Sequence, residues 1–303
     1  MTADLTLADI QIRDPFVLTL PERGEYLLFG STDADIWNPP ATGFDCYRST
    51  DLVHWEGPIQ AFRPPAGFWS DRNFWAPEAH EYRGRYYLFA TFKADGVCRG
   101  TQILASDAPE GPYAPWSDGP VTPSDWECLD GTLHLDEAGE PWIVFCREWV
   151  QVRDGQIVAQ RLSDDLRGVV GEPVVLFTAS EAPWTRRMDL PQIPKDVDMY
   201  VTDGPFLHRL RSGELVMLWS SFGDRGYAMG IARSTSGSVL GPWTQEERPI
   251  WAEDGGHGMI ARTLDGELLL TLHQPNETPL ERAVFRPLVE VDGTVVFAEG
   301  AAS

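Results

Sequence analysis

Five times along this chain a charged or polar residue opens a short apolar run, a glycine turns the chain back, and a second apolar run follows. The turn glycines are Gly24, Gly84, Gly139, Gly213 and Gly266, spaced 60, 55, 74 and 53 residues apart. The opening residues are Asp14, Glu78, Asp130, Asp203 and His257, and the second runs cover residues 26–29, 86–89, 142–145, 215–219 and 268–272. A strand pair of this length cannot bury both of its faces alone. Repeated at this period it predicts four-stranded units stacked around an axis, as in a propeller.

A second marker comes after the strand pair in four of the units. It reads Ser49, Thr50, Asp51, Leu52 to Gly57, Pro58; then Ser106, Asp107 to Gly111, Pro112; then Ser163, Asp164, Asp165, Leu166; then Ser234 to Gly241, Pro242, Trp243. Asp, Ser, Gly and Pro make turns by side-chain bonds to the backbone and by preset dihedrals, so these are scaffold. The fifth unit lacks a full copy, and its outer strands are expected over residues 282–297, with residues before Asp14 as another source for the missing strand. The longest spacing contains residues 182–198, rich in Pro, Arg and Asp, which read as an inserted loop. The expectation is one domain over residues 1–303, an all-β, five-bladed β-propeller.

The chain carries 46 acidic against 24 basic residues, a formal net charge of -22, so no nucleic-acid partner is expected. Residues 1–9 bring acids where a signal peptide needs a basic start and an apolar core, and no run reaches membrane-spanning length, so no membrane partner and a cytoplasmic location are expected. Cys46, Cys98, Cys128 and Cys146 form no Cys-x-x-Cys pair and read as free thiols.

Hairpin geometry says which residues meet. The residues before a first strand and those after its partner lie at the same end. Asp14, Glu78, Asp130, Asp203 and His257 should therefore ring the axis, with Trp37, Glu148, Trp149, Phe222 and Arg225 from the second loops, and Trp75 beside Glu78, around them. Carboxylates brought together on one axis push their pKa values apart, which prepares an acid and a base, and aromatic walls suit sugar rings. For one isolated Asp a strand-entry turn is the better reading, and three in the same setting favour chemistry. Glu78 suits strand entry as well as catalysis. His257, between Gly256 and Gly258, reads equally as a structural histidine or as an axial partner to a water or cation.

The chain resembles glycoside hydrolase family 43 through Arg13, Asp14, Pro15; Trp75, Ala76, Pro77, Glu78; Leu129, Asp130, Gly131; Thr202, Asp203, Gly204, Pro205; and Gly256, His257, Gly258. The resemblance implies a five-bladed propeller and an inverting glycosidase. It makes Asp14 the general base, Asp130 the residue that orients the acid and tunes its pKa, and Asp203 the general acid. The family has Glu in a Glu-Gly-Pro triplet where this chain has Asp203, one methylene shorter, and Glu148 is the reserve acid. No cofactor is required on this reading. A calcium ion held through waters, with His257 as axial partner, is the one addition the acidic channel admits. The expected substrate is a small arabino- or xylo-oligosaccharide, cleaved by an exo-acting α-L-arabinofuranosidase. The alternatives are a β-xylosidase of the same family, a retaining relative with Asp14 as nucleophile, and a glycan-binding propeller without catalysis.

Overall fold

A computed structural model describes residues 4–188 and 196–298, so residues 189–195 of the expected inserted loop lie outside the described residues. Its strands form five antiparallel four-stranded sheets, each made from consecutive segments. Blade one holds β1 (Arg13–Leu20), β2 (Glu25–Ser31), β3 (Phe44–Ser49) and β4 (Glu56–Phe62). Blade two holds β5 (Arg72–Tyr82), β6 (Arg85–Ala94), β7 (Val97–Ser106) and β8 (Ala114–Pro120). Blade three holds β9 (Cys128–Leu135), β10 (Pro141–Arg147), β11 (Gln156–Leu162) and β12 (Val169–Thr178), with the short helix α1 (Trp149–Val152) between β10 and β11. Blade four holds β13 (Asp203–Arg209), β14 (Leu215–Gly223), β15 (Gly226–Ser234) and β16 (Trp243–Gln245). Blade five holds β17 (Gly256–Arg262), β18 (Leu268–Gln274), β19 (Arg282–Val291) and β20 (Thr294–Phe297). No helix among the described residues is long and apolar enough to cross a membrane.

The turn glycines stand at the β1–β2 type hairpins with positive φ, which is why glycine recurs there. The second strand of each blade is deeply buried, because both of its faces meet neighbouring blades. Leu27, Leu28 and Phe29 of β2 and Met217, Leu218 and Trp219 of β14 have no exposed surface. Two tryptophans of the outer turns and strands pack: Trp55 is fully buried, and the Trp116 ring meets the guanidinium groups of Arg85 (4.9 Å) and Arg167 (3.8 Å). Trp184, on the flank of the inserted segment, packs on Trp219 with ring centroids 4.8 Å apart.

The fifth blade takes all four strands from its own stretch of chain, and the described residues before Asp14 supply none. Those residues instead bridge to the outer edge of blade one, where Leu5 pairs with Trp55. The ring therefore closes by packing and cross-blade bonds. Ile12 N–H donates to the Glu281 carbonyl (3.2 Å), Thr271 Oγ1 to the Pro15 carbonyl (3.1 Å), Thr19 Oγ1 to the Arg262 carbonyl (2.7 Å), and Arg13 pairs with Glu281 (3.2 Å).

Candidate active site

Each inner strand carries the same irregularity near its start, a break in ladder register; β5 has two, and its second is the equivalent one. At the break one residue has positive φ: Asp14 (55°), Ala76 (45°), Asp130 (55°), Gly204 (51°) and His257 (47°). Such a bulge frees an N–H from the ladder and re-aims a side chain, at a strain of about 1 kcal/mol or more for a non-glycine residue. The neighbouring blade meets each freed N–H. Asp14 N–H donates to His273 Nδ1 (3.2 Å), Ala76 N–H to Ser31 Oγ (2.9 Å), Asp130 N–H to Thr91 Oγ1 (2.9 Å) and His257 N–H to Ser220 Oγ (2.8 Å). In blade three the residue in that register is Cys146, whose sulfur is a weak acceptor, and Gly204 N–H donates instead to Asp130 Oδ2 (3.0 Å).

The five expected ring residues are thus not equivalent. Asp14, Asp130 and His257 occupy the bulge position, whereas blade two puts Ala76 there and blade four Gly204. A Cβ on Gly204 would come within 2.6 Å of the His257 ring, so the carboxylate of blade four has to come from the preceding residue, Asp203. Glu78 lies two residues further along its strand, buried, with His80 Nε2 3.1 Å from its carboxylate, and it does not line the pocket. Its expected place beside substrate is corrected accordingly.

Above the bulges opens a cavity of about 560 Å³ lined by Asp14, Asp130 and Asp203, by His257, and by walls from every blade. Trp37 and Trp75 meet edge to face (5.3 Å), Trp75 Nε1–H donates to the Ile36 carbonyl (2.7 Å), and Trp37 Nε1–H donates to Thr278 Oγ1 of blade five (3.1 Å). Glu148, Trp149 and Phe222 complete the wall as expected. Arg225 does not line it. The loop after β14 is a two-residue hairpin between Gly223 and Gly226 whose tip carries Arg225 outward to pair with Glu253.

The carboxylates differ in their surroundings. Burial opposes ionisation of Asp14, but His257 Nδ1 (3.1 Å), Arg13 Nε (3.6 Å) and the Ser31 hydroxyl (2.9 Å) outweigh it and hold this carboxyl below its ordinary pKa. Burial pushes Asp130 up to about 8, despite His257 Nδ1 at 3.6 Å, and the charges of Asp203 and Asp14 add to the rise. Asp203 is raised as well, first by burial, against the pull of His257 and of Tyr227, whose hydroxyl donates to Oδ2 at 2.9 Å. Burial also works against a charged His257, yet Asp14, Asp130 and Asp203 together lift its pKa above the ordinary value. His273, buried and close to Arg13, is depressed to about 3 and stays neutral, which suits its role as acceptor for the Asp14 N–H. Burial raises Glu148 too, but Arg99 is paired directly with its carboxylate while lying 4.4 Å over the Trp75 ring.

The ring therefore separates one ionised carboxylate, Asp14, from a pair that keeps a proton, the pattern that divides base from acid. Calcium wants six to eight oxygen ligands. The centre offers the His257 imidazole, whose Nδ1 stands 3.1 Å from Asp14 and 3.6 Å from Asp130.

The Glycosyl hydrolases family 43 model matches residues 8–293. The chain belongs to this family. It is a glycoside hydrolase on the family's five-bladed fold. The structure of an endo-arabinase from Bacteroides thetaiotaomicron VPI-5482 is similar with a TM-score of 0.89 and 43% identity, over 97% of this chain and 99% of that one. An extracellular exo-α-(1→5)-L-arabinofuranosidase of Cellvibrio japonicus (strain Ueda107) is 25% identical over 279 residues, 80% of this chain and 76% of that protein. The structure of an α-L-arabinofuranosidase from Lactobacillus brevis, 21% identical with a TM-score of 0.75 over 95% of this chain and 94% of that one, shares the fold.

Several residues of this family 43 site lie beyond what hairpin reasoning reaches. Arg99 and Tyr227 come from third strands, and Arg13, Ser31 and His273 act on Asp14 from beside or behind it. Only the alternation of polar residues at the ends of the second strands (Ser31, Thr91, Ser220, His273) carried a signal for part of this set.

A raised carboxyl pKa makes ionisation costly to the fold. The cost is absent below Asp130's ordinary pKa near 3.8, grows as the pH rises toward about 8, and is constant above that. Asp130→Asn is therefore expected to stabilise the protein by a few kcal/mol at pH 8 and far less at pH 4.5, since a pKa that is one higher in the folded than in the unfolded chain corresponds to about 1.4 kcal/mol. Thermal melts at the two pH values test this, and an equal change at both would refute it.

Proposed function

We propose that this protein is an inverting, exo-acting α-L-arabinofuranosidase that removes terminal arabinose from arabinose-containing oligosaccharides. The division of proton affinity within the ring supports the mechanism most directly. Asp14, kept ionised by His257 and Arg13, takes a proton from a water as that oxygen bonds to the anomeric carbon. Asp203 gives its proton to the glycosidic oxygen, which leaves with the electrons of the broken bond. Asp130 accepts the Gly204 N–H at Oδ2 and so orients the segment that carries the acid, and its carboxyl and that of Asp203, both raised first by burial, hold a proton between them.

An exo preference is supported by the rim. Loops of all five blades line the cavity, and the Trp37–Thr278 bond joins the wall between blades one and five, so the pocket is closed on that side. An endo reading also has support, from the full-length likeness to the Bacteroides endo-arabinase. Linear arabinan and reduced arabino-oligosaccharides separate the two. The exo reading expects arabinose as the first product, whereas early oligosaccharides of several sizes would favour the endo reading. Aryl arabinofuranoside should be cleaved at least about tenfold faster than aryl xyloside, since one misfitting sugar substituent costs about 1–3 kcal/mol. Proton NMR of the first product should show the inverted anomer, and a retained one would sink the assignment of Asp14 as base.

A further inference from the structure

Asp203 lines the cavity with a side chain one methylene shorter than a glutamate's. Its geometry contains a compensating feature. Tyr227 of β15 is buried, and its hydroxyl donates to Asp203 Oδ2 at 2.9 Å, while among the described residues no hydrogen bond engages Oδ1. The phenol ring cannot drift. It stacks on His273 with centroids 5.8 Å apart and planes 18° from parallel, its backbone N–H donates to Asp254 Oδ1 (3.2 Å), and its carbonyl accepts the Gly255 N–H (3.0 Å). Gly256 leaves the room it occupies, since a Cβ there would stand 2.8 Å from the ring.

We propose that Tyr227 is a positioning residue for the acid: its hydroxyl pins one oxygen of Asp203 so that the other, Oδ1, presents the proton to the leaving glycosidic oxygen. This rests on the reading of Asp203 as the general acid. A flexible carboxyl that samples several rotamers presents its proton only part of the time, and an error of about one ångström in a proton-transfer contact costs on the order of a hundredfold in rate. A donated hydrogen bond also favours the ionised carboxyl. Asp203 faces His257, Arg13, Asp14, Asp130, Glu148 and Cys146 besides Tyr227, and among these the phenol is the neutral group that donates to it.

The test is Tyr227→Phe, which keeps the ring and its stacking on His273. A series of aryl arabinofuranosides of increasing phenol pKa is compared with the unmodified enzyme. The expected loss is roughly ten- to hundredfold in kcat for the poorest leaving group and less than about threefold for an activated nitrophenolate, which departs with little protonation. The alkaline limb of the kcat/KM profile should move to higher pH, because the bond that favoured the carboxylate is gone. Loss of packing alone would lower all substrates together and leave that limb in place. A near-ultraviolet circular dichroism spectrum and a melting temperature like those of the unmodified enzyme show that Tyr227→Phe keeps its fold, and the shift of the alkaline limb is read on whatever fraction remains folded. An unchanged limb and a uniform loss in the folded variant would overturn the role of Tyr227. If Asp203→Asn showed no leaving-group dependence, the underlying assignment of the acid would fail instead.

Discussion

Asp14→Asn is expected to lower kcat by about four orders of magnitude on every glycoside, activated or not, because no leaving group replaces the base that takes the proton from water. The amide keeps the shape and accepts from Ser31 at one atom, so folding should survive. The change removes the negative charge that His257 Nδ1 meets at 3.1 Å and Arg13 at 3.6 Å. His257 would then lose its largest favourable partner and its pKa should fall, which proton NMR of the imidazole reports independently of turnover. Retained activity on an activated aryl substrate would remove Asp14 from the mechanism. Recovery of that activity by added azide, an anion that needs no deprotonation, would show that what the variant lacks is activation of the attacking water.

The second large effect is that of Asp203→Asn. Loss of the acid should reduce hydrolysis of natural oligosaccharides by about a thousandfold and leave nitrophenyl substrates far less affected, with the alkaline limb of the pH profile abolished. The raised proton affinity of Asp203, caused first by burial, places that limb above the usual carboxylate range in the unmodified enzyme. Glu148→Gln is the control. Its carboxylate is claimed by Arg99, which also packs over Trp75, so its removal should weaken substrate binding and raise KM with no leaving-group dependence. The reverse pattern in the two variants would transfer the role of acid to Glu148.

The blades were legible in the sequence because a glycine at a positive-φ hairpin is hard to replace, and five such glycines between apolar runs leave few architectures. The exact place of each ring residue was not. An alternating strand pattern locates a side chain only modulo two, and a bulge at the strand start inserts a residue that the pattern does not announce. Glu78 stands in a motif like those of Asp14 and Asp130 yet falls past the bulge that Ala76 occupies, and Asp203 falls just before the one at Gly204. Arg225 was misplaced for a different reason: the loop after β14 is as short as a hairpin permits, and a turn tip points away from the axis. Ser31, Thr91 and Ser220 were hidden because hydroxyl residues at strand ends are common, and only the bulged neighbour shows what theirs are needed for.

Closure of the ring without an exchanged strand has a kinetic meaning. The contacts that hold blade five against blade one include His257 and His273 on one side and Arg13 and Asp14 on the other. If Asp14 is the base, as proposed, the fastening and the base are the same atoms, and a slight parting of these two blades would disarm hydrolysis while the strands of the described residues remained paired. Turnover is in this sense a gauge of whether the circle is shut, more sensitive than any measure of strand content.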